Sequence, residues 1–326
     1  MAKKPLIRYI IILIFILAPL SLFVGVKDVT FAGLLRMDEE MLKLFVISRI
    51  PRLIAILCVG MSLSVAGAIM QSIMSNRFVS PSTASTMDWA KLGILVAIML
   101  FPSANVITKM LISTAFAFLG SLLFIRLLRV IKLKDQALVP LVGMMLGSVV
   151  TSLTTYIGYR YDLLQNISSW LQGSFAMILQ GRYELLYISI PMLIIALIYA
   201  DRFTVASMGS DFSKNLGISY KQVVNIGILI SALITAVVTS TIGTIPFVGM
   251  IIPNIVRIYR GDNFKSSIFE ISLLGALFLL ICDILSRVLI YPFEIPISVI
   301  VGIIGGIFFL YLIMQKTSGA KRRSHV

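Results

Sequence analysis

The sequence predicts an all-α polytopic membrane protein with about ten transmembrane helices, and three observations carry that expectation. Of its 326 residues, 59% are hydrophobic and only 13% are charged. The mean hydropathy, +1.01, lies far above that of a water-soluble chain. The apolar residues gather in long runs, and roughly 190 of them suffice for about nine or ten spans of ~20 residues each. Little remains for a soluble domain, so residues 1–326 read as a single transmembrane domain without a separate catalytic one.

The first run, about Tyr9 to Val26, follows Lys3, Lys4 and Arg8 as a secretory signal does. It is 18 residues long and no small-x-small cleavage site follows, so it reads as an uncleaved first helix. Further spans fall at roughly 49–72, 84–101, 105–127, 136–158, 184–200, 222–241, 247–260, 266–290 and 296–315. The span at 247–260 is short and broken by Pro253. With both termini cytoplasmic, 18 of the 28 basic residues fall inside and 9 outside, Lys91 lying within the third span. That asymmetry supports the orientation, in a bacterial cytoplasmic membrane.

A net charge of +14 is compatible with nucleic acid in a soluble protein; in a membrane chain it reports cytoplasmic loops. Cys58 and Cys282 sit in apolar runs and the single histidine, His325, lies in the basic tail. Neither a disulfide framework nor a Cys/His metal site can be assembled from these.

Three segments outside the spans are long enough to act. Residues 27–48, with Asp38, Glu39 and Glu40, and residues 159–183 form outer excursions. Residues 201–221 lie inside, and read either as two short amphipathic helices meeting near Gly209 and Gly217 or as a solvated connector.

Within the spans, Gly60 and Ser64, Gly143 and Gly147, and Gly302 and Gly306 recur at the spacing that lets helices approach closely. Charges at depth cost several kcal/mol unless matched, on the order of the ~2.5–3.5 kcal/mol seen at a helix centre. Asp88 and Lys91, and Asp283 and Arg287, each share a helix face, as self-neutralising pairs or as the lining of a polar route. Arg49 and Arg52 flank Pro51 at the outer entrance of the second span. They suit either guanidinium forks for a partner's carboxylates or interfacial anchors. From Thr241 to Asn263, Gly243, Pro246, Gly249 and Pro253 interrupt an apolar stretch, the pattern of a discontinuous helix or of a plain kinked one. No phosphate loop G-x-x-x-x-G-K-[ST], G-x-S-x-G or H-E-x-x-H occurs, so the chain does not read as an enzyme.

Taken together, SRIPRL at 48–53, VGMSLSVAGAIMQ at 59–71, SMGSDFSKNLGIS at 207–219, GTIPFVGMIIPNIVR at 243–257 and GALFLLICDILSR through FEIPISVIVGIIGGIFFLYLI at 275–313 identify a family. In order and spacing the chain closely resembles the FecCD permeases of ABC importers for ferric siderophores, haem and vitamin B12. The resemblance implies a type II ABC-importer permease fold of ten helices that dimerises around a central path. It implies two ATPase subunits below, which hold ATP and Mg, and a siderophore-binding lipoprotein or periplasmic protein above. It further implies that Arg49, Arg52 and Arg287 receive acidic residues of the binding protein. Gly209, Ser210, Asp211, Leu216 and Gly217 match the segment that couples to the ATPase, although many members carry Glu where this chain has Ser210 then Asp211. On spans the family places near the axis, Thr151, Thr154, Thr155 and Asn254 are candidates for the path, the alternative for the hydroxyls being bonds to their own helix. Many members have P-H where this chain has Pro253 then Asn254. The form NRFVSPSTASTMDWAKLG at 76–93, with PNIVRIYRGDN, resembles the subgroup for petrobactin- and anguibactin-type siderophores, in which two different permease chains commonly pair. A heterodimer is therefore expected before a homodimer, and no cofactor is expected on this chain itself. The rival reading is a proton-coupled secondary transporter using Asp88 and Asp283.

Overall fold

A computed structural model of the chain describes residues 5–25, 39–77, 79–81, 85–131 and 139–323. Lys3, Lys4 and His325, residues 27–38 of the first outer excursion, and Phe78 and residues 82–84 of the 76–93 segment lie outside them.

Helices form at every predicted span. In chain order they are α1 (Pro5–Phe23), α2 (Glu39–Leu44), α3 (Ile50–Ile73), α4 (Thr86–Leu100), α5 (Val106–Ile131), α6 (Val139–Arg160), α7 (Leu164–Leu171), α8 (Ser189–Ile198), α9 (Ala200–Ala206), α10 (Ser210–Asn215), α11 (Tyr220–Ile242), α12 (Val248–Arg260), α13 (Phe264–Val288) and α14 (Ile297–Arg323). Among the described residues, six segments are long and apolar enough to cross a bilayer alone: α1, α2–α3 as one run from Glu39 to Ile73, α5, α6, α11 and α13. Of the other four, α4 and α12 are shorter, the span from Glu184 is bent, and in α14 the apolar part described is Ile297–Tyr311. A turn of 3₁₀ helix at Glu184–Ile188 leads into α8, which α9 leaves at a bend of 62°. The second outer excursion contains α7, a helix the sequence reading did not anticipate.

The core forms around α3, which is buried along most of its length and packs on α13, α11, α12, α8, α9 and α1. A helix touched from so many directions needs small residues where backbones cross. A Cβ on Gly60 would stand 2.5 Å from the Gly275 carbonyl oxygen, and one on Gly67 would stand 1.8 Å from that of Gly249. The predicted Gly60 and Ser64 spacing is thus the seat of α13. By contrast α1 is peripheral, with Tyr9, Phe15 and Ile16 exposed as a lipid-facing helix requires.

The discontinuous helix is real, but its break lies before Pro253 rather than at it. α11 ends at Ile242, Gly243 and Phe247 take positive φ (96° and 64°), and α12 restarts at Val248. Backbone groups freed inside a membrane must be satisfied by other protein. Here Thr244 N donates to Leu171 O at 2.9 Å and Ser174 N to Ile242 O at 3.2 Å. Pro253 sits inside α12, which runs on through it. A proline lacks the N–H that would bond the carbonyl four residues back. That carbonyl, Gly249 O, accepts instead from Gln71 Nε2 at 3.4 Å, and Met250 O accepts from the same nitrogen at 3.2 Å. A side chain of α3 therefore repairs the ladder of α12 and ties the two helices together.

Candidate functional site

At the outer end, α1, α3, α13 and the turn before α14 bring the three predicted arginines into one cluster. Arg52 and Arg287 are 7% and 3% exposed and Asp283 is fully buried between them. Arg52 donates to Asp283 Oδ1 through Nε at 3.1 Å and Nη2 at 2.9 Å. Its remaining nitrogen, Nη1, bonds both carboxylate oxygens of Glu294 at 3.0 and 2.9 Å. Arg287, one helical turn from Asp283, takes the other oxygen of that carboxylate. It also donates to Ser21 O at 2.8 Å, Ser21 Oγ at 2.6 Å and Val24 O at 2.6 Å, closing the end of α1. Half-buried Arg49 reaches Val24 O at 2.7 Å, with its guanidinium against Gly25, where a Cβ would stand 2.0 Å from Nη1. Among the described residues, Arg52 and Arg287 are matched by Asp283 and Glu294, and Arg49 stands beside them on Val24 O.

The sequence reading had Asp283 and Arg287 as a pair and missed Glu294. Its signal was present, since an acidic residue between the prolines of YPFEIP enters an apolar span only against a base. The rival proton relay finds no support here. Asp283 is matched by two arginines, whereas Asp88 lies in a separate cluster, 3.7 Å from Lys91 and accepting from Thr151 Oγ1 at 2.7 Å. The two acids share no partner among these contacts.

At the inner end, the 201–221 segment forms two short helices jointed at Gly209, whose φ of +103° favours glycine. α10 closes on Gly217 (φ +70°) with Gly217 N bonding Lys214 O at 2.9 Å and Ile218 N bonding Ser213 O at 2.9 Å, the paired bonds of a glycine C-cap. Ser210 opens α10 with its hydroxyl 3.2 Å from the exposed Asp211 carboxylate. Leu216 is 55% exposed and is joined by Met208 and Phe212, also exposed, at intervals of four residues. Those two were missed, although the spacing 208, 212, 216 is legible in the sequence. Within the segment, buried Ser213 of α10 bonds Gly209 O at 2.8 Å and Val205 O of α9 at 3.4 Å, and Lys265 at the head of α13 ties it to the bundle through Asp201 Oδ2 of α9 at 2.7 Å.

The four path candidates separate. Thr155 is exposed on α6, whereas Thr154 is buried with its hydroxyl on Val150 O at 2.8 Å and Thr151 is engaged by Asp88. Asn254 is 5% exposed and bridges Arg77 O at 2.8 Å and Met250 O at 2.7 Å, a structural clasp between α12 and the end of α3. On the outward face of α6, Ser148 and Ser152 stand exposed in line with Thr155. Each serine donates to the carbonyl four residues back, at 2.9 and 2.8 Å, which leaves its oxygen lone pairs facing outward.

Residues 11–315 match the FecCD transport family. The chain is 53% identical over 314 residues to the petrobactin import system permease protein YclN of Bacillus subtilis, covering 96% of this chain and 99% of that one. It is 38% identical over 311 residues to the ferric-anguibactin transport system permease protein FatD of Vibrio anguillarum, covering 95% and 98% respectively. Among solved structures, an ABC transporter of metal-chelate type in an inward-facing conformation superposes with a TM-score of 0.83 at 25% identity, covering 95% of this chain and 98% of that one.

Proposed function

The chain belongs to the FecCD transport family, and from that premise we propose that it is the permease subunit of an ATP-driven importer that moves a ferric siderophore of petrobactin or anguibactin type into the cytoplasm. The observation that carries this reading is the near full-length match to the petrobactin and ferric-anguibactin permeases. The substrate class follows their names. ATP and its Mg²⁺ are assigned to two partner ATPase subunits, since the chain has no phosphate loop.

In this reading a binding protein docks on the outer arginine cluster, whose guanidinium groups suit acidic side chains. The ATPases seat the exposed Met208, Phe212 and Leu216, which present an apolar contact on the 201–221 segment. Gly209, Ser210, Asp211 and Gly217 shape the segment. ATP-driven closure presses on α10, and the Ser213–Val205 and Lys265–Asp201 bonds pass that displacement to α9 and α13. The path runs along the exposed Ser148, Ser152 and Thr155 of α6. A second, related permease completes the dimer, and both termini face the cytoplasm.

Gentle purification of the tagged chain from its native membrane, followed by mass spectrometry, tests the assembly. The expected companions are an ATPase, a second permease and a substrate-binding protein. Recovery of the chain alone, under detergent conditions that keep other ABC complexes intact, contradicts it.

A further inference from the structure

The outer cluster holds a carboxylate exactly where an incoming one would have to go. Arg52 has a sealed side and an open side. Toward the bundle its Nε and Nη2 are bonded to Asp283, which is fully buried and also bound by Arg287, so nothing from outside can take that place. Toward the surface Nη1 is chelated by Glu294, whose side chain is 22% exposed. Arg287 is closed off by Ser21, Val24 and Asp283. A partner's acid therefore reaches Arg52 only by displacing Glu294.

The surroundings of Glu294 suit such an exchange. It ends a turn in which Val288, Leu289, Ile290, Tyr291 and Phe293 are 55–73% exposed, an apolar collar beside the charge. Behind it the chain is pinned, with Ile295 N on Ser286 O at 3.0 Å, so Glu294 can swing while its neighbour stays. Swapping one carboxylate for another leaves the desolvation of Arg52 nearly unchanged, whereas opening an empty buried guanidinium would not.

We propose that Glu294 is a resident placeholder on Arg52, and that the outer face accepts a partner presenting an acidic side chain set in apolar surface, whose carboxylate takes the position of Glu294. This rests on the docking reading above. Held in place, Glu294 keeps Arg52 paired between docking events and weakens the docked state by the strength of the bond it must give up. Released, it carries its negative charge into solvent beside the partner's acid, which favours undocking.

The test uses the full complex in lipid nanodiscs and the substrate-binding protein recovered with it, with affinity measured at fixed salt. Glu294→Asp keeps the charge but is one methylene short of Arg52. Affinity is expected to rise about threefold to tenfold, the equivalent of losing a partly exposed competing ion pair. Glu294→Ala is expected to do at least as much. A gain in Glu294→Ala without one in Glu294→Asp shows simple charge attraction and overturns the exchange, as do unchanged or weakened affinities in both. Arg49→Glu separates the two layers. If it abolishes docking while the Glu294 variants change nothing, the placeholder fails and the docking reading stands; if it changes nothing, the docking reading itself fails. Should Glu294→Ala lower the unfolding temperature, Glu294→Asp, with its charge retained, decides alone.

Discussion

Asp283→Asn is the perturbation whose cost follows most directly from the structure. The carboxylate is fully buried, and its two oxygens divide between Arg52, at 3.1 and 2.9 Å, and Arg287. Asparagine has nearly the same shape, so packing is preserved. It lacks the charge, however, and turns an NH2 donor toward one of two guanidiniums that have only donors to offer. The change removes one of the two carboxylates that face the buried Arg52 and Arg287. Breaking a buried ion pair by removing one partner costs about 3–5 kcal/mol because the remaining charge is left unmatched. For a chain of this size that corresponds to a fall of roughly 10 °C in unfolding temperature, taking about 2–4 °C per kcal/mol. Thermal unfolding of the detergent-solubilised complex, followed by size-exclusion recovery, reads the change. Because Asp283 and Arg287 lose the same bond, Asp283→Asn with Arg287→Met is expected to cost less than the sum of the two single changes. A single variant within about 0.5 kcal/mol of wild type would refute the argument that this acid anchors α1, α3 and α13.

Other expectations follow from the same geometry. Gly67→Val drives methyl groups into the Gly249 carbonyl and should destabilise the complex by about 1–3 kcal/mol, the range for overpacking, read in the same unfolding assay. Leu216→Asp places a charge in the exposed apolar stripe and should leave the permease folded while ATP hydrolysis no longer drives uptake, measured as transport per ATP in proteoliposomes. Gln71→Leu leaves Gly249 O without its donor across the gap made by Pro253; about 1–3 kcal/mol is expected for an unsatisfied buried group, and hydrogen exchange in α12 should quicken.

Much of the bundle was legible because spans are read by length and apolarity, and each of the ten runs is a helix. What was hidden depended on contacts between segments distant in sequence. Pro253 suggested a broken helix, but whether a proline breaks a helix depends on a replacement donor, and here the donor is Gln71, 178 residues away from Gly249. α7 escaped notice because an eight-residue helix in an outer loop has neither the length nor the continuous apolarity of a span. In the outer cluster the arginines could be listed from their spacing, yet their pairing could not. Glu294 lies 242 residues from Arg52, and only the fold shows that Arg52 and Arg287 are occupied by the chain's own acids. On α6, Thr151, Thr154 and Thr155 look alike in sequence, and helix rotation alone decides that Thr155 opens outward while Asp88 engages Thr151.

Whether ATP drives uptake through partner subunits is decided by reconstituting the complete complex in proteoliposomes and following a radiolabelled ferric siderophore held by the recovered binding protein, with and without ATP on the ATPase side and a protonophore in both cases. Uptake is expected to require ATP and to persist when the proton gradient is collapsed. Uptake by the permease without ATPase subunits, abolished by the protonophore, would contradict that expectation.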